Sequence, residues 1–329
     1  VLGREDRCLV TGAAGFVGSH LVERLARSGA RVRALVHYSS LPGIGNIDLI
    51  DRDVRDALEI VAGDVTDSAC IDSAVAGCDV VFHLAAIISI PASYEMPDLV
   101  HAVNAGGTLN VLNACRRHGV KRVVHTSSSE VYGSATSVPM SESHPLCAQS
   151  PYAASKIAAD ALASAYWRSY GVPAVIVRPF NTYGPRQSTR AVLASIVAQL
   201  VAGADHLELG DPTPTRDLVN VEDTVSGFVA AATAPGVEGR AFNLATGRDT
   251  SVGDLARMAM DAVGRVVPIR TVDSRRRPAQ SEVTRLCGDA TAAREFLHWT
   301  PSVGLEQGIA RLVEHERAHP RPRPTEQVW

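Results

Sequence analysis

Tyr152 and Lys156 stand four residues apart in the segment Ser150-Pro-Tyr-Ala-Ala-Ser-Lys156. Ser150-Pro151 is a helix cap followed by a first-turn proline, so a helix is expected from about Tyr152 to Tyr170. In that helix the i, i+4 spacing puts the phenol and the ammonium on one face. A free phenol titrates near pH ~10, and a neighbouring cation favours its ionised form. Lowering it by ~2–3 units takes ~3–4 kcal/mol, which two nearby cations in a partly desolvated site can supply. A phenolate tuned in this way can take the proton of a hydroxyl while a hydride leaves the same carbon.

A hydride needs an acceptor, and a second cluster indicates where one would sit. The apolar run Arg7–Val10 leads into Thr11-Gly12-Ala13-Ala14-Gly15-Phe16-Val17-Gly18, and a helical pattern follows over Gly15–Ser28, stopped by Gly29. Glycines between a first strand and a first helix permit a tight turn, close approach of backbone to phosphate, and close helix-on-strand packing. The helix N-terminus adds free N–H groups and a positive dipole end. These features predict a dinucleotide site, and an oxidised nicotinamide ring would be the second cation beside Tyr152.

The elements that must position these residues are legible as alternation. Strands are expected at Arg31–Val36, Leu58–Ala62, Val80–Leu84, Arg122–Thr126 and Ala174–Arg178, and a further helix at Thr108–Arg117. The pattern predicts an α/β fold, a doubly wound parallel sheet with helices on both faces. Beyond Pro179 the alternation breaks and Pro and Gly become frequent, which suggests a smaller, loop-rich C-terminal substrate lobe. The expected division is 1–178 for dinucleotide binding, 179–315 for the interwoven lobe, and 316–329 as a disordered Pro-Arg tail. At the tip of the second strand, where an acidic residue often holds the ribose hydroxyls, stand Val36, His37, Tyr38 and Ser39. With neither a carboxylate nor an arginine there, NAD and NADP both stay open. Asp64, after the third strand, is read either as an acceptor for the adenine amino group or as a solvated turn residue.

The 329 residues are 46% apolar and 20% charged, with a net charge of −3. That balance suits a globular enzyme and provides no basic field for nucleic acid. No apolar run approaches the ~20 residues that span a bilayer. Val1–Arg7 is charged and runs into a strand, so no signal peptide is expected and the cytoplasm is the expected compartment. Cys8, Cys70, Cys78, Cys115, Cys147 and Cys287 form no C-x-x-C pair, and no cluster has metal-ligand spacing, so reduced thiols and no metal site are expected.

Thr11–Gly18, Gly63-Asp64-Val65, His83-Leu84-Ala85-Ala86, Thr126–Gly133, Tyr152–Lys156, Arg178-Pro179-Phe180-Asn181 and Arg216–Asp223 together resemble the extended short-chain dehydrogenase/reductase family, over nearly the whole chain. The resemblance implies a Rossmann domain and a sugar-nucleotide lobe. It implies NAD, with NADP still open, tightly bound and recycled each cycle. The cofactor contacts it implies are Gly12, Gly15, Phe16, Val17, Gly18, His37, Tyr38, Ser39, Asp64, Val65, Leu84, Ala85, Ala86, Tyr152 and Lys156. For a nucleotide-diphosphate sugar it implies Tyr94 and Pro91 at the hexose and Asn181, Arg216 and Arg277 at the diphosphate. Arg186 and Gln187 would reach the sugar or a neighbouring subunit. A homodimer pairing the helices around Thr108–Arg117 and Tyr152–Tyr170 is also implied. Four stretches, Leu35–Ser39, His83–Tyr94, Arg178–Ser188 and Arg277–Val283, are similar to sugar-nucleotide 4,6-dehydratases of legionaminic acid pathways.

That closer similarity gives Ser128 and Glu130 their meaning. Ser128 would share the hydrogen bond to the substrate hydroxyl with Tyr152. Oxidation of C4 acidifies the C5 proton; Glu130 suits the base that removes it, and loss of the C6 hydroxyl followed by hydride return yields a 4-keto-6-deoxy sugar. Some family members place an aspartate acid just before the glutamate, where this chain has Ser129. Glu130, once protonated, is then the other candidate to protonate the leaving group. A 4-epimerase needs no C5 base, and UDP-glucuronate decarboxylases also carry a glutamate here. The expectation is a 4,6-dehydratase, with a 4-epimerase and then a decarboxylase behind it. A non-catalytic dinucleotide sensor has no need of Tyr152 and Lys156.

Overall fold

The computed structural model describes residues 2–38, 43–275 and 278–320. Its central sheet contains β1 (Arg7–Thr11), β2 (Arg31–Val36), β3 (Glu59–Ala62), β4 (Val80–His83), β5 (Arg122–Thr126) and β6 (Ala174–Pro179). Short strands β7 (Asn181–Tyr183), β8 (Leu207–Leu209) and β9 (Thr215–Asn220) follow, then β10 (Ala241–Leu244), β11 (Asp249–Ser251), β12 (Ile269–Thr271) and β13 (Arg285–Leu286). The order in the large sheet is β10-β6-β5-β4-β1-β2-β3, and every pairing in it is parallel.

Parallel strands need helical crossovers, and these cover both faces. The helices of the first half are α1 (Phe16–Arg27), α2 (Arg52–Asp56), α3 (Ser68–Val75), α4 (Ile90–Glu95), α5 (Pro97–His101), α6 (Gly107–His118) and α7 (Pro151–Tyr170). Those of the second half are α8 (Val192–Val201), α9 (Val221–Thr233), α10 (Val252–Val263), α11 (Thr291–Leu297) and α12 (Leu305–Ala318). One core layer packs Leu21, Val22 and Leu25 of α1 and Phe228 and Ala231 of α9 on the sheet. The opposite layer packs Ile71, Val111, Leu112 and Ala163 from α3, α6 and α7 on Leu9, Val81 and Val123. Each fully buried Leu or Phe stabilises the fold by roughly 1.5–3 kcal/mol relative to exposure. Alternate strand residues therefore feed opposite layers, the doubly wound arrangement expected from the alternation.

The second half differs from the expectation. It is helix-rich rather than loop-rich, and it returns one strand, β10, to the edge of the large sheet beside β6. α8 is apolar on nearly all sides because it is buried between α10, α12 and β8, so it lacks the amphipathic period that identifies a surface helix. α12 continues to Ala318, past the expected start of a disordered tail at 316. Residues 321–329 lie outside the described residues.

Among strands β1 to β6 the order is the Rossmann one, and it reverses between β1 and β4. That switch point opens a crevice beyond the carboxyl ends of the strands, where open α/β sheets bind ligands.

Candidate active site

At the switch point the loop after β1 meets the loop after β4. Gly12 has φ 70°, and a Cβ there would sit 2.8 Å from the backbone N of Ala85. A Cβ on Gly18 would sit 2.2 Å from the carbonyl oxygen of Gly12. Only glycine lets these backbones approach so closely. α1 begins after Gly15 with no side-chain cap and no acidic residue in its first turn, so its leading N–H groups and dipole face the crevice unopposed. Thr11 Oγ1 accepts from the backbone N–H groups of Leu84 (3.1 Å) and Ala85 (3.1 Å) and pairs with His83 Nδ1 (2.8 Å), which fixes the two loops to each other. A pyrophosphate fits this cradle, and Gly12, Gly15, Phe16, Val17 and Gly18 are the residues that would hold it, with Leu84–Ala86 across the crevice.

At the tips of the neighbouring strands, His37 Nε2 lies 3.5 Å from Asp64 Oδ2. Asp64 Oδ1 accepts from the backbone N and the Oγ1 of Thr66, both at 2.8 Å. Those bonds, chiefly the backbone one, hold its carboxyl below the usual range. Asp64 is thus a structured turn residue whose second oxygen faces His37. Tyr38 is exposed, Val65 is buried behind the turn, and Ser39 lies outside the described residues.

The chemistry-bearing residues come from β5, the 3-10 turn Ser129–Tyr132 and α7. Ser150 Oγ caps α7 by accepting from Ala153 N (3.1 Å), with Pro151 in the first turn. Tyr152 and Lys156 then face inward on one stripe, 6% and 3% exposed. Lys156 Nζ donates to the Thr126 carbonyl at 2.6 Å. The Ser128 side chain acts on the Tyr152 phenol and favours its ionised form, and Ser128 Oγ accepts from Glu130 N at 3.2 Å. Glu130 is half-buried and close enough to act electrostatically on the phenol. Ser129 is buried, 3% exposed.

The electrostatics differ from the expectation drawn from the lysine. Burial pushes Tyr152 up to about 12, opposed by the Ser128 side chain and reinforced by the charges of Glu130 and Asp160. Burial also pushes Lys156 down to about 8, against the attraction of Asp160. Cations favour the phenolate, but the cost of removing a phenolate from water outweighs them here. The protein alone thus favours the neutral phenol, and lowering it requires positive charge brought to its face.

Of the expected substrate residues, Arg216 is 7% exposed; it donates from Nη2 to Glu282 Oε1 (3.0 Å) and from Nη1 to the Thr215 carbonyl (2.9 Å). The Tyr94 hydroxyl is hydrogen-bonded to Ser281 Oγ, which donates to the Gln149 carbonyl at 2.6 Å. The segment at 278–282 therefore reaches across to α4 and to the loop before α7. Asn181 Oδ1 is buried without a hydrogen-bond partner, a polar atom suited to a ligand donor. Arg186 is engaged elsewhere: Nη2 donates to Glu23 Oε2 of α1 at 2.7 Å, with His20 close by on the Pro185 carbonyl at 2.9 Å. Gln187 Nε2 donates to the Thr182 carbonyl at 2.7 Å, and Pro91 opens α4. Arg277 lies outside the described residues.

Two buried polar residues next to the site were not evident from the sequence. Asn104 accepts from Ile87 N (2.8 Å) and donates to the Ile87 carbonyl (3.0 Å) and Ser155 Oγ (2.9 Å), tying the post-β4 loop to α7. It sits in a π-helical turn, Ala102–Gly106, which gives no sequence signal. Asp160, 3% exposed, lies one turn beyond Lys156, and the i, i+4 repeat was the available clue. Among the described residues no His/Cys/Asp/Glu cluster could hold a metal, and no helix is long and apolar enough to cross a membrane. The six cysteines are unpaired.

Comparison with known proteins agrees with this geometry. The family model described as GDP-mannose 4,6 dehydratase matches residues 9–312. A UDP-glucose 4-epimerase of Mycolicibacterium smegmatis is 40% identical over 94% of this chain and 98% of its own. A dTDP-glucose 4,6-dehydratase of Streptomyces antibioticus is 33% identical over 94% and 92%. The crystal structure of the dTDP-glucose 4,6-dehydratase DesIV from Streptomyces venezuelae, with NAD and TYD bound, has a TM-score of 0.86 at 32% identity, covering 95% of this chain and 97% of that one. The chain belongs to the extended short-chain dehydrogenase/reductase family of NAD-dependent epimerases and dehydratases.

Proposed function

We propose that this protein is an NAD-dependent sugar-nucleotide 4,6-dehydratase that converts an NDP-hexose to the NDP-4-keto-6-deoxy sugar. The observation that carries the reading is Glu130 standing next to Ser128 at the carboxyl edge of β5, with its charge acting on the Tyr152 phenol. Relatives of both candidate activities, and a solved neighbour with NAD bound, support the cofactor and the substrate class.

When bound, the dinucleotide supplies a reversible two-electron acceptor and a positive ring beside Tyr152. The glycine turn and the free end of α1 would hold its pyrophosphate, and Lys156 lies one helical turn from Tyr152 on the same face of α7. Tyr152, with Ser128, takes the C4 hydroxyl proton as that carbon is oxidised. Glu130 takes the C5 proton, acidified by the ketone, and delivers it to the C6 hydroxyl, which leaves as water; return of the hydride to C6 and of a solvent-derived proton through Glu130 to C5 would complete the 4-keto-6-deoxy sugar. Ser129 is a buried hydroxyl, so Glu130 serves as both base and acid. Asn181, Arg216 and Arg277 are the proposed diphosphate contacts, with Tyr94 at the hexose; binding there requires Arg216 to share or leave Glu282. The fold and family also fit a homodimer and a cytoplasmic enzyme.

One observation favours a second reading. The Mycolicibacterium relative, at 40% identity over nearly full length, is a 4-epimerase, which would use Ser128, Tyr152 and Lys156 and leave Glu130 idle. Incubating the protein and NAD with UDP-, GDP- and dTDP-hexoses and weighing the products separates the two. The dehydratase reading expects loss of one water from one of these substrates. Conversion at unchanged mass would replace it with the epimerase.

A further inference from the structure

Four consecutive residues at the end of β5 touch one stripe of α7. His125 Nε2 stands 3.4 Å from Asp160 Oδ1, and the Thr126 carbonyl accepts from Lys156. Ser127 Oγ donates to Asp160 Oδ2 at 2.9 Å, and Ser128 acts on the Tyr152 phenol. The stripe Tyr152, Lys156, Asp160 advances by one helical turn at each step, and its third member has no part in the chemistry described above. Arg178 of β6 donates to Asp160 Oδ2 from both Nε (3.1 Å) and Nη2 (3.0 Å). Arg178, Ser127 and His125 together hold the carboxyl below its usual range although it is buried. All its strong donors converge on Oδ2, whereas Oδ1 has only the His125 ring at 3.4 Å. This buried layer therefore contains two cations, Lys156 and Arg178, and one firmly ionised anion whose second oxygen is left largely unsatisfied.

We infer that Asp160 is a positioning residue for catalysis: as the buried carboxylate one turn further along the same inward stripe of α7, it keeps Lys156 charged where it donates to the Thr126 carbonyl. A buried ammonium with one neutral acceptor sheds its proton readily, and then the phenol has lost its built-in cation. The titratable and charged groups facing this pair are Tyr152 on α7, His83 on β4, His125 on β5, Arg178 on β6 and Glu130 on the 3-10 turn. His83 and His125 are both pushed toward the neutral form by burial, so they add no positive charge near neutral pH. Asp160 is the only one of these that stabilises the ammonium. The inference rests on the proposed roles of Tyr152 and Lys156.

The composition makes the test direct, because Lys121 and Lys156 are the only lysines in the chain. In full-length protein labelled with 13C-lysine and saturated with NAD, two Cε resonances titrate, and the exposed Lys121 is the internal reference. Two charges one turn apart in a partly screened interior shift each other by about one to two pH units. Asp160→Asn is expected to lower the Lys156 midpoint by that amount without moving Lys121, and Asp160→Glu to restore it. Asp160→Asn combined with Arg178→Met removes both buried charges and leaves no orphaned guanidinium; because the Arg178 cation repels Lys156, its drop is expected to be smaller than that of Asp160→Asn alone. The alkaline limb of kcat/KM moves toward acid by the same amount. An unmoved Lys156 midpoint in folded Asp160→Asn, or a raised one in the double variant, overturns the inference. Because the titration needs no sugar substrate, it decides the role of Asp160 even if no sugar nucleotide is turned over, an outcome that would count against the proposed function alone.

Discussion

Glu130→Gln separates the two halves of the proposed reaction, and the structure gives each half a direction. The substitution removes a carboxylate whose charge helps keep Tyr152 neutral. One unit charge acting over several ångströms in a medium of effective dielectric ~20 is worth on the order of 2 kcal/mol, and solvent screening at a half-buried side chain trims that to about half. The phenol then ionises more readily by somewhat under one unit, so oxidation at C4 holds or rises by a few-fold to roughly tenfold at neutral pH. Dehydration loses its C5 base and falls by ~10²–10⁴-fold. The assay follows the near-ultraviolet absorbance of reduced cofactor alongside product mass. Glu130→Gln is expected to accumulate reduced cofactor and a 4-keto sugar of unchanged C6, whereas wild type returns the electrons and releases water. Water loss at the wild-type rate would show that the base at C5 lies elsewhere.

Other variants test the remaining parts. Tyr152→Phe removes the proton acceptor and is expected to lower turnover by ~10²–10⁴-fold or more while NAD still binds, measured by single-turnover kinetics and calorimetry. Gly18→Ala places a methyl 2.2 Å from the Gly12 carbonyl oxygen, so NAD affinity is expected to collapse while the circular dichroism spectrum of the folded chain persists. His20 gives a pH prediction: burial first, then Arg186, lowers it from 6.5 to about 4 in the folded chain. The unfolded chain then binds the proton first, so stability falls as pH drops from about 6.5 toward 4 and levels off below. The full loss is ~3 kcal/mol for a shift of that size. Denaturant midpoints of His20→Gln should show a correspondingly shallower acid decline, and an unchanged slope would contradict the assignment. Ser150→Ala removes the α7 cap and is expected to cost ~0.5–2 kcal/mol in urea melts.

What the chain reveals before folding follows from how local each signal is. β2 and β5 run over Arg31–Val36 and Arg122–Thr126, as their apolar runs predict, and α7 differs from its expected span only by including Pro151. Their signals are short-range: apolar runs between turn residues, and a Ser-Pro cap. The glycine turn was legible for the same reason, because Gly12 and Gly18 permit backbone approaches that no side chain allows. β10 was not foreseen. Ala241–Leu244 is a four-residue run that becomes a strand only by pairing with β6, more than sixty positions earlier. Arg186 shows the same limit at the level of the site: its motif points to the sugar, yet Glu23 of α1 takes its guanidinium across the fold. The neutral phenol of Tyr152 was hidden because burial is a property of the assembled layers, whereas the i, i+4 lysine is visible in the string.

Running the reaction in deuterated water and locating the label in the product by NMR tests the account at its centre. Deprotonation of C5 by Glu130 predicts deuterium at C5 of a 4-keto-6-deoxy product. A 4-inverted sugar that carries hydrogen at C5 and keeps its C6 hydroxyl would contradict it.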